Sequence, residues 1–266
     1  MFAHTDNNLT YTMLAPSIIK HIKKLHEKKY RKEFQEFLIE GVKGIEDALH
    51  SSIDVFTLVV DGSLRDTANI KRLIALAEKK DVTIELCGRK DIGDIKTTDS
   101  FPGVLAIAGT PETTMDDYTF DLPIICLDRI GDPGNLGTII RTADWFGIPN
   151  ILLSEGSVDP YNDKVVRSTM GSLFRAHIVE SEHVLSDIAW LKKEQGYTVT
   201  GLSLKGQPFS GMKQPAAKTI YVFGSESHGI APDIEKILDA RYTIPGKGQA
   251  ESLNVAVAAG IVLSHI

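Results

Sequence analysis

The second half of this chain alternates too regularly to fold in many ways. From residue 121 onward, short apolar runs of strand character take turns with segments of helical periodicity. PIICL precedes a helix from about Leu136 to Trp145, and NILLS precedes one through Lys164–Leu173. A short run near His177–Val179 is followed by Val184–Glu194, then come TVTGLSL and TIYVFG, then Pro232–Leu238, RYTIP and a last apolar helix. Continuous apolar strands joined through helices pack as a parallel sheet covered on both faces. An α/β fold is therefore expected over residues 121–266. Ligands on such sheets bind beyond the carboxyl ends of the strands.

The first part reads as a smaller α/β domain, residues 1–112. After a polar start, a basic helical pattern begins at Ser17, followed by a strand over Phe37–Glu40 and a helix over Lys43–His50. Val55–Val60, Thr83–Leu86 and Gly103–Ala108 have strand character, and Ala68–Lys80 is an amphipathic helix. Residues 113–120 are polar and without periodicity, which predicts a linker.

The net charge of −6 is no signature of a nucleic-acid binder, but local distribution matters more. Between residues 20 and 32, Lys20, Lys23, Lys24, Lys28, Lys29, Arg31 and Lys32 face one acid, Glu27. This is either a solvated helix face or a polyanion contact. Cys87 and Cys126 form no CxxC pair, so a disulfide framework or zinc site is not expected. No secretory leader is read at the start, and no apolar run reaches the ~20 residues of a membrane helix. The expectation is a cytoplasmic protein with neither metal nor membrane partner.

Three glycine-bearing loops follow strands. In LDRIGDPGNLGTIIRTA, Asn135 stands where a helix N-cap would, and amides there favour an anion. Arg141 follows six residues later, within reach of that loop. The plainer alternative is a capped helix with a surface arginine. In YVFGSESHGI a buried strand runs into Gly224, with Glu226 at its mouth, and glycine at a strand end permits close backbone approach. In YTIPGKGQAESLNVAVAAG, Ser252 reads as the helix cap, and Asn254 is a polar residue at the start of an apolar helix that needs partners. Neither GxGxxG nor GxxxxGK[ST] is present, which disfavours a Rossmann dehydrogenase and a P-loop nucleotidase.

Taken in order, these loops resemble the three motifs of the SpoU-type methyltransferases of the SPOUT superfamily. The pattern N-x-G-x-x-x-R matches Asn135, Gly137 and Arg141, and G-x-E matches Gly224 and Glu226. The pattern I-P…S-L-N matches Ile244, Pro245, Ser252, Leu253 and Asn254. Ser225 stands where that family usually has asparagine. The first part, through Arg31 and FLIEGVKGIEDAL, is similar to the family's substrate-binding domain, a small α/β RNA-binding domain of ribosomal-protein-like fold.

The resemblance implies a deep trefoil knot, a homodimer with its site near the subunit interface, and S-adenosyl-L-methionine as cofactor. It places the cofactor against Leu202, Ser203, Gly224, Ile244, Gly246 and Leu253. It makes Arg141 the central catalytic residue, with Asn135 and Glu226 orienting it or the ribose, and Ser252 and Asn254 holding the hydroxyl or phosphate. Lys23, Lys24 and Arg31 would grip RNA backbone. The implied activity is methylation of a ribose 2′-hydroxyl, with ribosomal RNA as the expected substrate. A tRNA methyltransferase on the same scaffold, or a non-catalytic RNA-binding or ribosome-assembly factor, are the alternatives.

Overall fold

The computed structural model describes residues 12–96, 101–209, 217–225 and 227–266, and divides the chain into two compact units, Met1–Pro111 and Glu112–Ile266. The first contains β1 (Thr12–Met13), α1 (Pro16–Leu25), α2 (Lys28–Phe34), β2 (Glu36–Glu40), α3 (Val42–His50) and β3 (Val55–Asp61). It continues through α4 (Ala68–Glu78), β4 (Thr83–Cys87), α5 (Arg89–Ile95) and β5 (Val104–Gly109). Its sheet runs β1-β4-β3-β5-β2, with β5 antiparallel to both neighbours and the other pairs parallel. Three elements differ from the sequence expectation. The polar start holds β1, which pairs with β4. The basic helix breaks after Leu25 and resumes at Lys28. The helix α5 was not foreseen, because it is short, contains Gly93 and carries too little apolar periodicity to register.

The second unit contains β6 (Ile124–Asp128), α6 (Pro133–Trp145), β7 (Asn150–Ser154), α7 (Asp163–Thr169), β8 (His177–Ser181) and α8 (Val184–Gln195). It ends with β9 (Thr198–Pro208), β10 (Thr219–Gly224), α9 (Pro232–Glu235), β11 (Ala240–Thr243) and α10 (Val255–Leu263). The sheet order is β11-β9-β10-β6-β7-β8, and every pair is parallel. β6 and β7 are buried along their whole length, which explains why they read as unbroken apolar runs. Each such Ile, Leu or Val contributes roughly 1.5–3 kcal/mol by leaving water.

The order of strands fixes where a ligand can bind. After β6 the chain moves outward through β7 and β8, then returns to lay β9 and β10 on the other side of β6. The loops leaving β6 and β10 therefore diverge, and a crevice opens between them at their carboxyl ends. There Gly224 and Asp128 are register partners.

Residues 113–120 are not a free linker. Thr114 and Asp117 close a single 3-10 turn over Met115–Asp117. Tyr118 is buried, and its hydroxyl donates to the Ile151 carbonyl at 2.7 Å. Asn150, wholly buried, accepts from the Thr119 N–H at 3.1 Å and donates to its carbonyl at 2.9 Å. The polar composition of the segment hid one aromatic anchor. A second expectation also changes: the helix foreseen to Leu173 stops at Thr169, because Met170 (φ 50°) and Gly171 (φ 89°) turn left-handed before a 3-10 turn over Ser172–Arg175.

α6 begins earlier than expected. Asp132 is its N-cap and accepts the Asn135 N–H at 2.8 Å, with Pro133 in the first turn. α6 packs on α7 through Gly137, where a Cβ would stand 2.5 Å from Ser168 Cβ and 3.0 Å from the Val165 carbonyl oxygen. Alanine there would gain about 0.8–1 kcal/mol of helix propensity but meets backbone that cannot yield, and overpacking costs about 1–3 kcal/mol. Gly137→Ala is accordingly expected to destabilise the protein, read as a lower urea midpoint with an unchanged m-value.

Candidate functional site

Asn254 joins two of the three loops. It is the N-cap of α10: its Oδ1 accepts the N–H groups of Ala256 at 2.9 Å and Val257 at 3.3 Å. Its Nδ2 donates to Asn135 Oδ1 at 2.9 Å, across 119 residues of sequence. Asn254, not Ser252, is thus the cap, and Asn135 is not a cap but the third residue of α6. The cap that Asp132 provides leaves the Asn135 side chain available to α10.

The second loop closes on itself. Beyond β10, the Gly229 N–H donates to the Ser225 carbonyl at 2.8 Å, and the His228 N–H to Ser225 Oγ at 3.2 Å. Ser225 thus supplies a turn acceptor in its own loop. Gly224 is needed because a Cβ there would lie 2.1 Å from the Gly229 carbonyl carbon. The close approach at Gly224 is chain against chain. Glu226 lies outside the described residues.

Asp128 ties this loop to the sheet, and the sequence reading missed it. It is 2% exposed, and its Oδ2 accepts the Ala231 N–H at 2.7 Å while Ser154 Oγ donates to Oδ1 at 3.0 Å. The ends of β6 and β7 and the chain after β10 meet on one carboxylate. The available signal was an acid closing a fully apolar strand, since a buried carboxylate requires donors.

Leu202 and Ser203 do not end a strand as expected. β9 continues to Pro208, but its ladder with β11 jumps from Gly201 to Gln207. Leu202 is the last residue of β9 paired with β10, opposite Phe223, and Ser203 Oγ donates to the Lys205 carbonyl at 2.7 Å. The third loop, residues 244–254, is irregular backbone and solvent-exposed from residue 245 onward. A Cβ at Gly246 would meet nothing within 4 Å, and Leu253 stands 45% exposed. Open space beside irregular main chain and an exposed leucine suits a ligand with one flat apolar part and several polar groups. Ser252 is exposed in the same loop.

Arg141 is exposed on α6. Among the described residues, its guanidinium makes no hydrogen bond or ion pair, and no described contact brings it against Asn135 or Asn254. It lies about 9 Å along the helix axis from Asn135.

In the first unit the proposed RNA-gripping residues separate. Arg31 is a correction: it is 5% exposed, and its Nη1 donates to the carbonyls of Leu25 at 2.8 Å and His26 at 2.9 Å. It holds the end of α1 against α2 and does not point to solvent. Lys23 pairs with Asp94 at 2.6 Å while staying half exposed. The Lys24 ammonium lies over the rings of Tyr30 and Phe34, 5.1 and 5.3 Å from their centroids.

The cysteines offer no nucleophile. Burial pushes the Cys87 thiol up to about 12, and burial also pushes the Cys126 thiol far above its ordinary value, so neither is a thiolate near neutrality. Among the described residues, no group of three His, Cys, Asp or Glu side chains could hold a metal ion, and no helix is long and apolar enough to cross a membrane.

Fold and site together define a class: an all-parallel α/β domain whose loops after β6 and β11 are joined beside a switch point, with a separate mixed-sheet domain. Residues 123–264 match the SpoU rRNA Methylase family, and residues 17–106 match an MRM3-like substrate binding domain. The chain belongs to the SpoU rRNA methylase family. It is 32% identical over 249 residues to a 23S rRNA (guanosine-2′-O)-methyltransferase of Bacillus subtilis, covering 93% of this chain and 95% of that protein. It is 30% identical over 244 residues to a 23S rRNA (uridine-2′-O)-methyltransferase of Streptomyces viridochromogenes, covering 86% and 81%. The S-adenosylmethionine-bound rRNA methyltransferase of Sinorhizobium meliloti superposes with a TM-score of 0.84 at 31% identity, over 96% of this chain and 95% of that one.

The Asn135–Asn254 contact can be isolated by a double-mutant cycle. Asn135→Ala removes this exposed hydrogen bond, at most about 0.5–1.5 kcal/mol, whereas Asn254→Ala also removes a helix cap, about 1 kcal/mol more. The double variant is expected to lose less stability than the sum of the two single losses; additive losses in urea unfolding would show that the two amides do not interact.

Proposed function

We propose that this protein transfers the methyl group of S-adenosylmethionine to a ribose 2′-hydroxyl of ribosomal RNA. The observation that carries this reading is the hydrogen bond from Asn254 to Asn135, which fastens the third loop to the first beside the crevice at the ends of β6 and β10. Relatives matching across both units are named for 23S ribosomal RNA, which supports ribosomal RNA over tRNA.

The cofactor would lie against Leu202, Ser203, Gly224, Ile244, Gly246 and Leu253, where the third loop offers open main chain and an exposed leucine. When bound, it supplies an electrophilic methyl group on a sulfonium cation. The protein's part is to position the ribose and stabilise the charge that develops on its oxygen. Arg141 does the latter. A guanidinium is not deprotonated in proteins, so Arg141 acts as a fixed cation that also grips the neighbouring phosphate, and not as a base. Asn135, Glu226, Ser252 and Asn254 orient the ribose and its phosphate, and water exclusion strengthens each contact. Lys23 and Lys24 contact RNA backbone, which positions without reading sequence.

The reading includes a homodimer and the family's trefoil knot. Trp145, 83% exposed at the end of α6, and Val257, 51% exposed on α10, support a second copy as their cover. For the knot, the support is that β11 lies at the sheet edge beyond β9 while α10 returns to pack on α6. A crystal structure with S-adenosylmethionine would check both, a monomeric asymmetric and crystallographic arrangement or an unthreaded trace removing each in turn.

Arg141→Ala is expected to keep S-adenosylmethionine affinity near normal by calorimetry and to lose methyl transfer to ribosomal RNA. Near-wild-type turnover would refute its assignment. Mapping ribose methylation in total RNA with and without the protein identifies the nucleotide; a ribosomal RNA with no altered ribose would sink the proposed substrate.

A further inference from the structure

One cation at the carboxyl end of β6 has no place in the mechanism above. Arg129 is the first residue beyond β6, directly after Asp128. Its φ of 57° is left-handed, a conformation that side-chain-bearing residues resist. A hydrogen bond holds it there: the Arg129 N–H donates to Ser154 Oγ at 2.9 Å. A strained residue fixed at the carboxyl end of a sheet strand is a reason to look for a role.

The bond that holds the guanidinium is loose. Nε reaches Asp128 Oδ1 and Nη2 reaches Oδ2, both at 3.3 Å, longer than the roughly 2.7–2.9 Å of a tight charge-assisted pair. Asp128 does not depend on it, because Ser154 Oγ at 3.0 Å and the Ala231 N–H at 2.7 Å already engage its two oxygens. Releasing Arg129 therefore leaves a buried carboxylate with a donor on each oxygen. The Arg129 side chain is 38% exposed, so an anion can reach it from solvent.

We propose that Arg129 binds a backbone phosphate of the substrate RNA, exchanging its loose fork on Asp128 for one on the phosphate. Guanidinium geometry matches both anions. Asp128 is then a parking site and a positioning residue: it holds Arg129 at the carboxyl end of β6 until the RNA arrives. The inference rests on the methyltransferase reading and adds a substrate contact that the three motifs do not contain.

The test compares wild-type protein with Arg129→Gln, Arg129→Lys and Arg129→Gly, using a ribosomal RNA transcript. Arg129→Gln is expected to raise KM for RNA roughly ten- to hundredfold, the loss of one charge-assisted contact. The kcat at saturating RNA and the S-adenosylmethionine affinity by calorimetry should move far less. The slope of log affinity for RNA against log salt should shrink by roughly 0.7–0.9, one phosphate contact. Arg129→Lys should restore that slope without the full affinity. Arg129→Gly sheds the left-handed strain, so it should remain folded by thermal melting and still lose RNA affinity. Unchanged RNA affinity and salt slope in the Gln and Gly variants overturn the proposal. So does weakened S-adenosylmethionine binding with RNA binding intact, which would make the cofactor carboxylate the anion. If wild-type protein transfers no methyl group, the enzymatic reading fails, while the RNA-binding arm still decides Arg129.

Discussion

The reversal of strand order between β6 and β10, two parallel neighbours from which the chain departs to opposite edges of the sheet, is the constraint on which the site depends. Two adjacent parallel strands whose following loops leave in opposite directions cannot cover the gap between their carboxyl ends with their own connections. Gly224 and Asp128, register partners, stand at its base. The first loop and α6 flank it on one side and the second loop on the other. The third loop, arriving from β11 at the sheet edge, is fixed by a side-chain bond from Asn254 to Asn135 and not by strand pairing.

Polar side chains, not apolar packing, do the fastening here. Asp132, Asn135 and Asn254 satisfy helix-end N–H groups or one another, and Asp128 accepts from two loops at once. Such bonds have strict geometry, so they fix loop positions to a fraction of an ångström, which hydrophobic contact alone does not. The glycines act in the same sense. Gly137 and Gly224 remove atoms that would keep α7 from α6 and the second loop from its own strand. Their value is in closeness of backbones, whatever a ligand later does.

Much of this was legible in the sequence. Nearly every strand and helix of the second unit has a period or an apolar run that announces it, because a sheet buried on both faces leaves few alternatives. The errors have local causes. Asn135 and Ser252 were read as helix caps because several cap-forming residues lie close together, and one-dimensional spacing does not say which side chain reaches back. Composition reads residues 113–120 as a linker because it averages over Tyr118, whose buried ring and hydroxyl help to anchor them. The basic run offers Arg31 as an RNA contact because it gives no sign of which cation turns inward to two helix-end carbonyls.

By itself, the sequence determined the strand and helix alternation, the three loops and their residue types, since these follow from periodicity and from the few residues that turns accept. Tertiary structure alone decided which loops touch. Strand order, the pairing of Gly224 with Asp128, and the contact between Asn135 and Asn254 depend on how segments more than ninety residues apart come together. No local pattern encodes that distance, because hydrogen bonds and steric exclusion act only once the chain has folded far enough to bring the partners within reach.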